Sequence, residues 1–257
     1  MSTLPDPTEL RVLLLDADGN LFPSEAPAFD ASAEVTNEFL ASLGIAERYT
    51  PEHLLATTTG KNFRTTAIDL AAAHGVPVGA EGSGSALTTA VLDDWVAEEK
   101  RVVSAHLGRV LRPDPAVLGP LRRLAGHYQL AAVSSSALSR LDECFRATGL
   151  AELIPPARRY SAEDSLPAPT SKPDPAIYRY AAEQLGVPPG RALAVEDSLP
   201  GARSAVAAGI ATAGNVTFVP AGERDERRRL LTEAGVAVVV ESWEQLADLV
   251  LDAGVRT

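Results

Sequence analysis

Arg11-Val12-Leu13-Leu14-Leu15-Asp16-Ala17-Asp18-Gly19 is the stretch that decides how the rest of the chain is read. Its apolar run lacks polar alternation, as a parallel strand covered on both faces requires. Two acids, two residues apart, follow the run directly. In extended backbone such residues point to the same side, so Asp16 and Asp18 converge while Ala17 points away. Facing carboxylates repel each other, and a divalent cation relieves the repulsion. Magnesium takes oxygen ligands, often one or two carboxylates completed by water and substrate phosphate. A polar turn closing a strand fits the same four residues, so the rest of the chain has to decide.

Further apolar runs at 128–133, 191–195, 210–213 and 236–240 read as strands. Between them lie helical patterns at 138–148, 175–185 and 202–208, stopped by Gly149, Gly186 and Gly209 at positions that suit left-handed backbone. This alternation predicts an α/β fold, a doubly wound, mostly parallel, Rossmann-like sheet. The stretch between the first two strands differs. It reads as helices alone, at 29–43, 51–58, 63–74 and 86–107, with a loop at 79–85. Leu87, Val91 and Trp95 recur every four residues and line one face of the last helix. An inserted α-helical cap domain is therefore expected over 23–107, hinged at 22–26 and 108–113, on a sheet domain of 1–22 and 108–257.

Composition bounds the functions. The 257 residues are 46% hydrophobic and 22% charged, enough for a sizeable core. No apolar run approaches the roughly 20 residues of a membrane span. Residues 1–10 carry acids and prolines rather than a basic segment and an apolar one, so no signal peptide is expected. Cys144 is the only cysteine, which excludes an internal disulfide and a thiolate-rich zinc site and points to a reducing, cytoplasmic setting. A net charge of −11 argues against nucleic acid as a partner and demands a local cation for any anionic substrate.

Three more features bear on the chemistry. Glu196-Asp197-Ser198 again places paired acids after an apolar run; alone, it also reads as an acidic helix start. Ser134-Ser135-Ser136 offers hydroxyls and N–H groups to phosphate oxygens, or an ordinary helix cap. Lys172 sits in Ser171-Lys172-Pro173-Asp174-Pro175, where two prolines restrict the backbone; a lone loop lysine is ordinarily solvated. Three of the four features lie at carboxyl ends of predicted strands, where open α/β sheets bind ligands. Jointly they supply a nucleophile, a metal site, a hydroxyl and a cation.

Taken in order, these motifs resemble those of the haloacid dehalogenase superfamily, and the resemblance spans nearly the whole chain. Glu196-Asp197-Ser198 with Gly201, and Ser24-Glu25, are similar to the branch containing β-phosphoglucomutase and many small phosphatases, which carries a helical cap. The resemblance implies catalytic roles for Asp16, Asp18, Ser134 and Lys172. Asp16 would attack phosphorus, and Asp18 would protonate the leaving oxygen and then deprotonate water. Ser134 and Lys172 would bind phosphoryl oxygens, with Ser135 as a further substrate contact. Mg2+ would be held by Asp16, the Asp18 carbonyl, Glu196 and Asp197. In the cap, Thr59-Gly60-Lys61-Asn62-Phe63-Arg64 resembles a specificity loop in which Gly60, Lys61, Asn62 and Arg64 would meet substrate. A helix start with Asn62 as cap and two solvated cations fits equally.

Two residues depart from the pattern. Asn20 stands where Thr or Val is common, and Ala28 stands where the mutases carry a histidine. The expected function is a phosphatase acting on a small phosphorylated metabolite, as a monomer or weak homo-oligomer. A phosphosugar mutase, a dehalogenase and a non-catalytic binding protein are the alternatives. Ala28 disfavours the mutase, and Asp18 disfavours the dehalogenase.

Overall fold

The computed structural model describes residues 4–58, 62–80 and 85–252. In chain order the elements are β1 (Val12–Leu15), α1 (Glu25–Ser42), α2 (Pro51–Thr58), α3 (Phe63–Ala73), α4 (Thr89–Val110) and α5 (Pro115–Ala125). There follow β2 (Gln129–Ser134), α6 (Leu138–Thr148), β3 (Arg159–Ser161), α7 (Ala176–Gln184) and β4 (Ala192–Glu196). The chain continues through α8 (Leu199–Ala207), β5 (Ala211–Asn215), α9 (Arg224–Glu233), β6 (Val238–Val240) and α10 (Trp243–Asp252). They fall into two compact units: residues 24–110, and the segments on either side of them.

The second of these units contains one six-stranded sheet in the order β3-β2-β1-β4-β5-β6, parallel throughout. β1 is central because all four of its residues are apolar and fully covered. Alternation splits them between the faces: Val12 and Leu14 join a cluster with Ala131, Val133, Ile177, Tyr178 and Ala194, beneath α7 and α8. Leu13 and Leu15 therefore point to the opposite face. Register aligns Leu15 with Ala132 and Val195, so the residues that follow β1, β2 and β4 emerge at one edge.

The helical unit is held by an aromatic core. Phe39 of α1 meets Phe63 of α3 and Trp95 of α4 edge-on, with ring centroids 6.3 and 5.9 Å apart. Such pairs add about 1 kcal/mol each beyond the area they bury. Among the described residues, no helix is long and apolar enough to cross a membrane.

Several boundaries differ from expectation for local reasons. α4 starts at Thr89 rather than 86, because Leu87 turns back to accept from the Gly79 N–H at 2.8 Å. It then runs through Gly108 to Val110, so the linker expected from 108 begins only afterwards. One glycine costs a helix about 1 kcal/mol, which 22 residues tolerate. α1 starts at Glu25 rather than 29; its Pro27 lies in the first turn, where no N–H is missed.

Candidate active site

Four of the site's segments meet at the carboxyl edge of the sheet. β1 delivers Asp16, β4 delivers Glu196 and Asp197, β2 delivers Ser134, and the connection from β3 to α7 delivers Lys172. With the order 3-2-1-4-5-6, β1 and β4 flank the point where the sheet's winding reverses, the natural crevice of a doubly wound fold.

Lys172 is the hub. Its side chain is only 6% exposed, so the solvated-lysine reading does not hold. Nζ donates to Asp16 Oδ1 at 2.5 Å, Glu196 Oε1 at 2.6 Å and the Val133 carbonyl at 2.8 Å, which uses all three protons. Ser135 Oγ accepts from the Lys172 N–H at 3.1 Å and ties the lysine loop to the turn after β2. Tyr178, buried on α7, donates to Glu196 Oε1, and its ring centroid lies 5.2 Å from Nζ. Burial acts to strip the lysine of its proton, but the Asp16 and Glu196 carboxylates outweigh it and hold its pKa above the ordinary value.

Negative charge remains in excess. One oxygen from each of Asp16, Glu196 and Asp197 lies within 4.8 Å of the others, the group of acids that could hold a metal ion among the described residues. Burial pushes the Asp16 carboxyl up against the pull of Lys172, and Glu196 and Asp197 add to the rise. Glu196 is raised by burial as well, against Lys172 and Tyr178. Its Oε2 is buried and makes no hydrogen bond to any described residue. An orphaned carboxylate oxygen inside a triad of acids is what a hard divalent cation satisfies, so this donor set fits Mg2+.

Two glycines make the close approach possible. A Cβ at Gly19, whose φ is +77°, would lie 2.5 Å from Asp197 Oδ2. A Cβ at Gly201 would lie 1.8 Å from Glu196 Oε2. Gly201→Ala is therefore expected to displace the Glu196 carboxylate and to cost about 1–3 kcal/mol through overpacking. Urea unfolding together with Mg2+ titration checks this; parental stability and parental metal response would contradict it.

Asp18 occupies a different environment from the triad. Its Oδ2 accepts from Ser136 Oγ at 2.8 Å and lies 3.5 Å from Ser134 Oγ, while Oδ1 is 3.4 Å from Arg140 Nη2. The Asp18 carboxylate thus faces α6, and any part it takes in metal binding falls to its carbonyl. Ser134 Oγ also accepts from the Ser136 N–H at 3.0 Å. None of the three serines caps α6; Asp164 does so, accepting from the Leu138 N–H at 2.7 Å.

Sequence patterns alone do not single out Arg140, Arg227 or Tyr178. Arg140 does leave a signal, since a cation in the first turn of a helix opposes the macrodipole unless an acid faces it. Arg227 of α9 donates to the Asp197 carbonyl at 2.7 Å and lies 3.8 Å from its Oδ2. In the helical unit, Asn62 caps α3 by accepting from the Thr65 N–H at 2.9 Å, and Arg64 pairs with Asp93. Gly60 and Lys61 lie outside the described residues.

The profile of the haloacid dehalogenase-like hydrolase family matches residues 10–209. No curated protein sequence matches the chain significantly. Solved structures do. A haloacid dehalogenase-like protein from Agrobacterium tumefaciens is 26% identical, with a TM-score of 0.66 over 95% of this chain and 98% of its own. A hydrolase of the same family from Deinococcus radiodurans, solved with bound phosphate and sodium, is 25% identical, with a TM-score of 0.63 over 96% and 97%. CbbY from Rhodobacter sphaeroides, solved as a point mutant with xylulose-(1,5)bisphosphate, shares the fold at 24% identity, with a TM-score of 0.64 over 92% and 96%.

Proposed function

Since the chain belongs to the haloacid dehalogenase-like hydrolases, we propose that it is a magnesium-dependent phosphatase of a small organic phosphomonoester, with Asp16 as nucleophile. One observation carries this reading: the buried carboxylates of Asp16, Glu196 and Asp197 converge at the carboxyl edge of the sheet, and the buried Lys172 ammonium bonds to the first two. The phosphate-bound and sugar-bisphosphate-bound relatives support the substrate class.

In the first half-reaction a carboxylate oxygen of Asp16 bonds to phosphorus as the ester P–O bond breaks, and Asp18 gives its proton to the departing oxygen. In the second, water attacks phosphorus, Asp18 takes the water's proton, and the bond to Asp16 breaks to restore the carboxylate. Ester and water become alcohol and phosphate. Lys172 fixes the Asp16 carboxylate through Oδ1, so the nucleophile arrives oriented. With all three of its protons engaged, Lys172 acts first on Asp16 and Glu196, and binding of the phosphoryl oxygens is assigned in this proposal to Ser134 and Ser135. Mg2+, held by Asp16, Glu196, Asp197 and the Asp18 carbonyl, would offset charge on the transferring group. Asn62 and Arg64 are secondary candidates for the leaving group, since each is already engaged within the cap. Ala28 leaves no imidazole at the position expected of a mutase.

A panel of phosphate esters assayed with and without Mg2+ tests the reading. Release of phosphate only with the metal is expected; inactivity across the panel would contradict it. Metal binding should also depend on pH. Raised carboxyl pKa values mean that the metal-free folded state takes up protons more readily than the unfolded chain, so its stability falls as pH rises through them. Magnesium must displace those protons. The rise in Tm on adding Mg2+ is thus expected to grow with pH as the raised carboxyls lose their protons. A rise independent of pH would contradict the buried-acid site.

A further inference from the structure

Behind the nucleophile lies a second layer of polar groups that the reaction itself does not use. Asn20 is fully buried one turn beyond Asp16. Its Nδ2 donates to the Asp16 carbonyl at 2.9 Å and to the Val195 carbonyl at 3.1 Å. One side-chain amide thus bridges the end of β1, which carries the nucleophile, to the end of β4, which carries Glu196 and Asp197. Val195 O also accepts from the Asp16 N–H at 3.0 Å, which closes the bridge.

The bridge is held from behind. Asn215, 1% exposed at the end of β5, donates from Nδ2 to Asn20 Oδ1 at 2.8 Å. Its own Oδ1 accepts from the Thr217 N–H at 3.1 Å and from Thr217 Oγ1 at 2.5 Å. Trp243 Nε1 donates to the Asn20 carbonyl at 3.1 Å. Each orientation is forced. The Asp16 and Val195 carbonyls only accept, so the Asn20 nitrogen must face them and its oxygen must face Asn215. The same logic then turns the Asn215 oxygen to Thr217. A valine at position 20 has no donor and a threonine has one; asparagine supplies the two that the bridge uses.

We propose that Asn20, locked in orientation by Asn215, is a positioning pair that sets the distance between Asp16 and the Glu196–Asp197 acids and so tunes the site for its cation. This rests on reading those acids as the metal site. The three carboxylates must converge against their own repulsion, and a shift of either strand end changes how they share a cation. Groups that orient metal ligands from behind typically contribute 10- to 100-fold in affinity.

Binding of Mn2+ to the metal-free protein, followed by electron paramagnetic resonance, tests this without reference to turnover. Asn215→Ala is expected to weaken Mn2+ binding roughly 10-fold. In an Asn20→Ala background the same change should add less than about 2-fold, because the pair acts as a unit. Should Asn20→Ala not fold, Asn20→Thr takes its place in the cycle. Val250→Ala, in the core of α10 and outside the network, serves as the stability control and should bind Mn2+ like the parent. Parental Mn2+ affinity in Asn215→Ala, independent effects in the double variant, or an equal loss in Val250→Ala would each overturn the proposal. A parent protein that fails to bind Mn2+ would overturn the metal reading itself, so the two failures are told apart by the protein in which they occur.

Discussion

Asp16→Asn is expected to abolish phosphate release, lowering kcat on the order of 10^4-fold or more, the scale of losing a covalent nucleophile. The amide keeps the shape of the carboxylate but removes the charge and the attacking lone pair. It also removes one of the two acids that share Lys172. In the absence of metal the variant should therefore be at least as stable as the parent, since Asp16 is already pushed toward its neutral form by burial. Steady-state assay and urea unfolding of the same preparation separate the two effects. Loss of activity with the fold intact supports the nucleophile; loss of both would place Asp16 among structural residues.

Lys172→Met carries the second large effect. Methionine replaces the unbranched stem of the side chain, lacks the terminal ammonium and supplies none of the three hydrogen bonds to Asp16, Glu196 and Val133. Removing one partner of a buried charge cluster costs about 3–5 kcal/mol, because the charges left behind are uncompensated. Rate should fall about 10^2- to 10^3-fold, as when a preorganised electrostatic group is lost. The pH dependence has a definite sign. Without the ammonium, Asp16 and Glu196 rise further, so the folded variant holds protons that the unfolded chain has released. Its deficit is then largest at neutral and alkaline pH and shrinks as the pH falls toward the ordinary carboxylate range. Unfolding curves across pH check this, and a deficit constant with pH would argue against the buried cluster.

Much of the sheet was legible because its inner strands are almost wholly buried and its strands are largely apolar. β1, β2, β4, β5 and β6 all lie within two residues of the runs read from sequence. β3 escaped because Arg159, Tyr160 and Ser161 form no apolar run. Its burial depends on tertiary partners: the Arg159 guanidinium reaches Asp142 at 2.6 Å and the Ile154 carbonyl at 3.0 Å and covers the Phe145 ring. α5 was obscured by Pro115, Gly119 and Pro120, although Pro115 occupies the first turn and Asp114 caps it. α9, with Arg224, Asp225, Glu226 and Arg227 to Arg229, offers little apolar periodicity.

The convergence of Asp16, Lys172, Glu196 and Asp197 was legible because each follows a strand or sits in a loop fixed by prolines. Tyr178 and Arg227 were not, because a tyrosine or an arginine on an amphipathic helix says nothing about which carboxylate it will meet. Asn20 was visible as a departure, but its partners Asn215 and Trp243 come from 195 and 223 residues away, a separation that no local pattern encodes.

Trapping the covalent intermediate tests the central role of Asp16 most directly. The protein is mixed with Mg2+ and a phosphate ester it hydrolyses, quenched in acid during turnover, and reduced with borohydride, which converts an aspartyl phosphate to homoserine. The mechanism requires homoserine at position 16 in the digested protein and its absence from Asp16→Asn. Turnover that leaves position 16 as unmodified aspartate, or homoserine found instead at Asp18 or Asp197, would contradict it.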